Sequence, residues 1–200
     1  MEQSANAEKA NYDVIWRDTP TRRNSSPGKD FAPFFFDGFK GEIRAGQTLI
    51  DFGCGTALVA KEFLSKGLNI RLVDISPYAL DQEIRNLLAL FSAQVQFVQG
   101  CLWQLPESLK SAYWIYCCDV LENIPEESIE PVLEGIAARM RFGGYFSIRL
   151  KEDIASSRRA VKEKRWWEHK LSKYFTIVGE DATIDDSYFN CRVRAKLNRC

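Results

Sequence analysis

Short apolar segments alternate with helix-spaced stretches down this chain, and that alternation restricts the folds open to it more than any other feature. The first apolar segment is Thr48–Phe52, followed by a helical stretch over about 57–65 that Gly67 stops. The second, "NIRLVD", ends at Asp74. Ser76 is expected to cap the next helix, with Pro77 in its first position and Leu80, Ile84, Leu87, Leu88 and Phe91 along one face. "VQFV" and "AYWIYCCD" read as strands three and four. Ile129, Val132, Leu133, Ile136 and Met140 line a further helix, which "FGG" is expected to end before a fifth strand, "YFSIRL". Strands this continuously apolar are buried on both faces, as parallel strands between helix layers are. The expected fold class is therefore α/β: a three-layer, doubly wound, Rossmann-like sheet.

The pattern changes after Leu150. A charged segment, "KEDIASSRRAVKEKRWWEHKLSKY", reads as helical, and two strands follow, "FTIVGEDATI" and "YFNCRVRAKL", joined near Asp185 and Asp186. So short a connection makes them antiparallel, and alternation in the last suggests a half-exposed strand. Residues 1–45 read as an irregular, partly helical lead-in to a core over 46–200, the whole forming a single domain. No internal repeat is present.

In a doubly wound sheet, ligands sit beyond the carboxyl ends of the strands. "DFGCGTA" occupies such a place after strand one. Gly53 and Gly55 permit a tight turn and close backbone approach to a ligand. Asp74, at the end of strand two, can accept hydrogen bonds from both hydroxyls of a ribose. A ribose-binding acid fits either a nicotinamide dinucleotide or S-adenosylmethionine. Dinucleotide sites use Gly-x-Gly-x-x-Gly, and here Leu58 stands at the third glycine's place. Asp51 would also repel a pyrophosphate, whereas it suits a sulfonium and an α-ammonium.

The segments "LIDFGCGTA", "LVDIS", "GCLWQLP", "CCDVLENIPEE" and "MRFGGYFSIRL" together resemble the class I S-adenosylmethionine-dependent methyltransferases. The resemblance runs from about residue 47 to 150, and the closing hairpin fits that family's antiparallel seventh strand. It implies S-adenosyl-L-methionine as methyl donor and S-adenosyl-L-homocysteine as product. Carried onto this chain, it puts Asp51, Gly53 and Gly55 around the methionine part and Asp74 on the ribose. Ile75 would pack on the adenine, and Cys101 and Leu102 would border its edge, although many relatives have an acid at the Cys101 position. Asp119 would line the methionine and substrate side. Asp119 and Glu122 are the candidate catalytic bases, with orientation of the cofactor and helix capping as the alternative roles. Relatives often have His where this chain has Asn123. No metal is expected.

Other features admit two readings. Tyr12 and Trp16 share a helical face, which either closes over the cofactor or packs into the core. Arg22, Arg23 and Lys29 could reach a carboxylate or an anionic acceptor, or belong to a solvated loop. The basic and aromatic mixture around Trp166 and Trp167 could bind nucleic acid, but Glu163 and Glu168 interrupt it, which favours an amphipathic helix with its tryptophans on the sheet. Lys+Arg and Asp+Glu number 27 each, so no global field draws the chain to nucleic acid or membrane. The polar N-terminus shows no apolar signal region, and no apolar run is long enough to cross a bilayer. Six cysteines without a Cys-x-x-Cys pair read as reduced thiols, so a cytoplasmic location is expected. There is no Asp- or Asn-Pro-Pro-aromatic segment and no Pro-Cys after strand four, the devices of amino- and cytosine-methylating DNA enzymes. A small-molecule acceptor, methylated on oxygen or nitrogen, is the leading reading. An RNA, DNA or protein acceptor, or a donor-binding domain without turnover, are the rivals. Oligomeric state is not legible.

Overall fold

The computed structural model describes residues 2–18, 28–151, 160–182 and 186–196. In chain order the elements are α1 (Glu2–Asp18), α2 (Gly28–Gly38), β1 (Thr48–Phe52), α3 (Ala60–Ser65), β2 (Asn69–Asp74), α4 (Gln82–Leu90) and β3 (Val95–Gln99). Then come β4 (Ala112–Cys118), two short 3₁₀ turns (Leu121–Asn123 and Glu126–Ser128), α5 (Ile129–Ala137), β5 (Met140–Arg149), α6 (Lys164–Tyr174), β6 (Phe175–Asp181) and β7 (Tyr188–Ala195). The seven strands form one sheet in the order β3-β2-β1-β4-β5-β7-β6. β1 to β5 are parallel, and β7 runs antiparallel to both of its neighbours, β5 and β6. This is the expected doubly wound α/β architecture with an antiparallel closing strand. The order reverses between β1 and β4, so the crevice beyond their carboxyl ends is where a ligand fits.

Period-two side-chain alternation divides the core between the two faces of the sheet. Leu49, Leu72, Trp114, Tyr116 and Tyr145 face one way and meet α2, α3 and α4 through Phe31, Phe35, Phe63 and Ile84. Ile50, Phe52, Val73, Ile115 and Phe146 face the other way and meet α5 and α6 through Ile129, Val132, Leu133, Ile136, Trp167 and Leu171. The Phe35 ring centroid lies 5.5 to 6.0 Å from those of Phe39, Phe63, Trp114 and Tyr116, all four edge-on. Burying side chains of this size contributes roughly 1.5–3 kcal/mol each, which is what holds α2 to the sheet. On the opposite face Glu130 of α5 accepts hydrogen bonds from Lys170 (2.5 Å), Lys173 (2.8 Å) and the Tyr174 hydroxyl (2.7 Å) of α6. Those three donors pull its carboxyl down to about 2.

Two expectations need correction. "FGG" does not end a helix: α5 stops at Ala137, and Met140 to Gly144 belong to β5. The glycines sit mid-strand because their neighbours leave no room for a side chain. A Cβ on Gly144 would lie 2.1 Å from Ile115 Cγ1, and one on Gly143 would lie 2.9 Å from the Val193 carbonyl oxygen. Ser76 does not cap α4, which starts at Gln82, where the Asp81 carboxylate accepts from the Glu83 N–H at 2.9 Å. β7 keeps the expected alternation from Cys191 on, with Cys191 and Val193 buried and Arg192 and Arg194 half-buried, while Asn190 departs from it by being buried.

The tryptophans of α6 take the packing role: Trp167 is fully buried in the core, and Trp166 packs edge-on against it with Lys162 and Lys170 over its ring. His169 is exposed. Among the described residues, no helix is long and apolar enough to cross a membrane, and no group of three or more His, Cys, Asp or Glu side chains could hold a metal ion. The five cysteines there are free thiols.

Candidate functional site

Beyond the carboxyl ends of the parallel strands lies a cavity of about 100 Å³. Its walls come from the turn after β1 (Gly53, Gly55), the end of β2 (Asp74, Ile75), the loop after β3 (Leu102, Trp103) and the loop after β4 (Asp119, Val120, Asn123, Ile124). The fifth contributor is α1, with Glu8, Tyr12 and Trp16.

The β1 turn depends on left-handed backbone. Gly53 and Gly55 have φ of 69° and 51°, values that favour glycine. The N–H groups of Gly53 and Cys54 both donate to the Val73 carbonyl, at 2.8 and 3.0 Å, which ties the turn to β2. Asp74 tightens it further: one carboxylate oxygen accepts from the Gly55 N–H at 2.9 Å, the other from the Ser76 N–H at 3.0 Å. A carboxylate offers about four lone-pair sites, so these bonds leave it acceptor capacity toward the cavity.

Asp51 lies behind the turn, buried and outside the cavity wall. Its Oδ2 has no hydrogen-bond partner among the described residues. Burial, with the Asp74 charge adding to it, pushes its carboxyl up to about 8. A folded-state value above the unfolded one means that the folded protein holds a proton that the unfolded chain releases. Stability therefore falls as pH rises from the ordinary carboxylate range toward about 8, and flattens beyond. Asp51→Asn mimics the protonated form. Its melting temperature is expected to stay level from about pH 5 to about pH 9 while the wild type's falls; parallel curves would refute the assignment.

After β4, Asp119 takes a left-handed φ of 57°, with its N–H bonded to the Ser147 carbonyl at 2.9 Å. Arg149 Nε stands 3.6 Å from its Oδ1. The Asn123 side-chain amide donates to the Asp119 carbonyl at 3.0 Å, so Asn123 braces this loop. Glu122 is wholly buried in the 3₁₀ turn and outside the cavity wall, and its carbonyl accepts from the Ala160 N–H at 2.9 Å.

α1 is docked by two contacts. The Ser76 hydroxyl donates to Asp13 at 2.6 Å, and the Arg17 guanidinium lies over the Tyr78 ring, 5.1 Å from its centroid. Lys9 bonds Asp13 from one turn earlier, at 2.5 Å. The Trp16 ring reaches to 3.5 Å from where a Cβ on Gly55 would sit.

Of the residues singled out in the sequence, the structure gathers Gly53, Gly55, Asp74, Ile75, Leu102, Asp119, Tyr12 and Trp16 around one cavity. Asp51, Cys101 and Glu122 are buried beside it. Arg22 and Arg23 fall outside the described residues, and Lys29 is exposed on α2. None of the wall comes from residues 160–174. Glu8, Trp103, Val120 and Ile124 are wall residues that sequence reasoning did not assign; for Glu8 the signal was its spacing of four from Tyr12.

A family model described as a methyltransferase domain matches residues 49–144, the span from β1 to the middle of β5. Residues 49–144 are thus a methyltransferase domain, and the chain has the fold of the class I S-adenosylmethionine-dependent methyltransferases. Solved methyltransferases share the fold. The 1,6-didemethyltoxoflavin-N1-methyltransferase of Burkholderia thailandensis, crystallised with 1,6-didemethyltoxoflavin and S-adenosylhomocysteine, is 17% identical. It matches with a TM-score of 0.73 over 97% of this chain and 89% of its own. The magnesium protoporphyrin IX methyltransferase of Synechocystis PCC 6803, with S-adenosylmethionine bound, is 16% identical, with a TM-score of 0.71 over 94% of this chain and 97% of its own. A methyltransferase in complex with the Haloferax volcanii Trm112 methyltransferase activator is 14% identical, with a TM-score of 0.69 over 92% and 97%. At these identities the likeness is one of fold. No curated protein sequence matches the chain.

The methyltransferase site fits its donor. The cavity offers a flat apolar side at Ile75, Leu102 and Trp103, a carboxylate at Asp74, and two glycines whose missing side chains leave backbone open to a ligand. The unpartnered oxygen of Asp51 behind them suits a cationic guest.

Proposed function

We propose that this methyltransferase transfers a methyl group from S-adenosylmethionine to an oxygen or nitrogen of a small organic molecule. The observation that carries the small-molecule reading is α1. It walls the cavity with Tyr12 and Trp16, leaving an aromatic-sided chamber where a polymer would need an open groove. Among the described residues, no lysine or arginine lines that chamber, as a phosphate-bearing acceptor would favour. Two methyltransferases that share the fold are named for 1,6-didemethyltoxoflavin and magnesium protoporphyrin IX, organic molecules rather than polymers, which agrees with this reading.

In this reading Asp74 accepts hydrogen bonds from the ribose hydroxyls. Ile75 and Leu102 hold the adenine, with Cys101 behind its edge. Gly53 and Gly55 present backbone to the methionine part, and the cationic donor draws Asp51 beneath it from its protonated into its charged form. The donor arrives with its methyl already activated on a sulfonium. What remains for the protein is to orient the acceptor and exclude water, the tasks of Tyr12, Trp16, Val120 and Ile124. An acceptor that must shed a proton hands it to Asp119, which reaches the cavity; Glu122 acts behind it by shaping the turn. We read the chain as a single domain.

The test is transfer of label from methyl-labelled donor into a fractionated lysate. Label in the small-solute fraction supports the proposal. Label in RNA, DNA or protein moves the acceptor to a polymer, and tight donor binding without transfer to any fraction reduces the chain to a binding domain.

A further inference from the structure

α1 crosses the carboxyl ends of three strands in their order in the sheet. Its three cavity-lining side chains, Glu8, Tyr12 and Trp16, are spaced by four, so they stand in a row on one face. Trp16 lies over Gly55, in the turn after β1. Asp13, adjacent to Tyr12, is bonded to Ser76 in the loop after β2. Glu8 lies toward the loop after β3: burial pushes the Cys101 thiol up to about 11, and the negative charge of Glu8 adds to that rise. Two independent spacings agree. From residue 8 to residue 16 a helix rises about 12 Å, and from β1 across β2 to β3 two strand spacings cover about 10 Å. α1 is thus laid along the β1–β2–β3 axis, the axis on which the proposed reading places the methionine part, the ribose and the adenine.

Adenine brings to the β3 end one strong donor, its exocyclic amino group. The loop there presents Leu102 and Trp103 to the cavity, whose side chains carry no acceptor, and the buried Cys101 beside them is a poor acceptor when protonated. Of the three carboxylates in the wall, Asp74 is at the ribose position and Asp119 is across the cavity after β4. The remaining one is Glu8.

Resting on the donor assignment above, we infer that Glu8 reads the adenine base, its carboxylate accepting a hydrogen bond from the exocyclic amino group. Base recognition then comes from α1 rather than from the sheet, and donor binding and the seating of α1 reinforce one another. Glu8 is a specificity residue for the donor and takes no part in methyl transfer itself.

The experiment compares S-adenosylhomocysteine with S-inosylhomocysteine, in which a carbonyl oxygen replaces the amino group. Calorimetric titration on the full chain gives the ratio of their dissociation constants for the wild type, Glu8→Gln and Glu8→Ala. In the wild type the inosyl compound sets a carbonyl against a carboxylate, so a preference for adenosyl of tenfold or more is expected. Glu8→Gln, whose amide can donate to that carbonyl, is expected to bring the two within about threefold, and Glu8→Ala to lower the ratio as well. A wild-type preference that both variants keep intact overturns the inference and leaves the donor site standing. Failure of the wild type to bind either compound overturns the donor assignment and this inference together. The ratio is the readout because a general loosening of α1 weakens both ligands alike and leaves it unchanged.

Discussion

Asp74→Ala is expected to weaken S-adenosylmethionine binding about 100-fold, the loss of roughly 3 kcal/mol of charge-assisted hydrogen bonding to the ribose. The same carboxylate also accepts from the Gly55 and Ser76 N–H groups, so removing it leaves two backbone donors without their partner. An orphaned buried donor costs about 1–3 kcal/mol, and in a domain of this size a melting temperature lower by roughly 5–10 °C is expected as well. Asp74→Asn separates the two effects. Its amide oxygen can still serve one of the backbone donors while the anion is gone, so it should recover part of the melting temperature and little of the affinity. Calorimetric titration and a thermal melt on both variants check this. An Asp74→Ala protein that melts early yet binds the donor normally would make the residue a turn brace and remove it from the ribose.

The second large effect is expected at Gly53. An alanine there would put its Cβ 2.5 Å from Val120 Cγ2 and 2.7 Å from Val120 Cγ1, with φ at 69°. The backbone alone costs an L-residue about 1–2 kcal/mol in this region. The clash has one route of relief, moving Val120, and Val120 is part of the cavity wall beside Asp119. Gly53→Ala is therefore expected to lose about 2–4 kcal/mol of stability and most of its donor binding. Adding Val120→Ala removes the two shortest contacts but leaves that with the residue-120 Cβ at 3.2 Å and the backbone strain, so the double variant should regain roughly half of the stability. Gly55→Ala is the control. Its φ of 51° is also strained, but its Cβ would meet only the Trp16 ring, at an ordinary 3.5 Å. The loss there should be confined to the backbone cost of about 1–2 kcal/mol. Urea titrations of the four proteins test this order, and equal losses at Gly53 and Gly55 would contradict it.

The parts of the site carried by one contiguous segment could be read in the sequence. Asp51, Gly53 and Gly55 occupy one strand-to-helix turn, and Asp74 ends the next strand, so periodicity alone placed them at the same edge of the sheet. The parts that depend on tertiary neighbours could not be read. Gly143 and Gly144 read as a helix stop because glycine is a local breaker; that Trp114 and Ile115 crowd the strand at that point is a fact of pairing. Ser76 followed by Pro77 has the composition of a helix start, but Ser76 is engaged by Asp74 and Asp13, residues near and far in sequence. α2 was partly visible: Phe31, Phe35 and Phe39 are spaced by four, but Pro33 lies inside the helix and breaks the local pattern. The position of β7 between β5 and β6 follows from register across the sheet and has no local signature. Glu8 was obscured for the opposite reason. An acidic residue on a polar helix is ordinary, and only the strands beneath it give its position meaning.

The placement of β7 has a consequence for how the polypeptide matures as it leaves the ribosome. β6 is made before β7, yet its sole neighbour in the sheet is β7. Until that later segment emerges, β6 has no docking edge, and β5 presents an uncovered row of amides and carbonyls to neighbouring chains. A nascent chain stalled between the two would thus be a sticky intermediate, and β7 acts as the latch that ends the hazard.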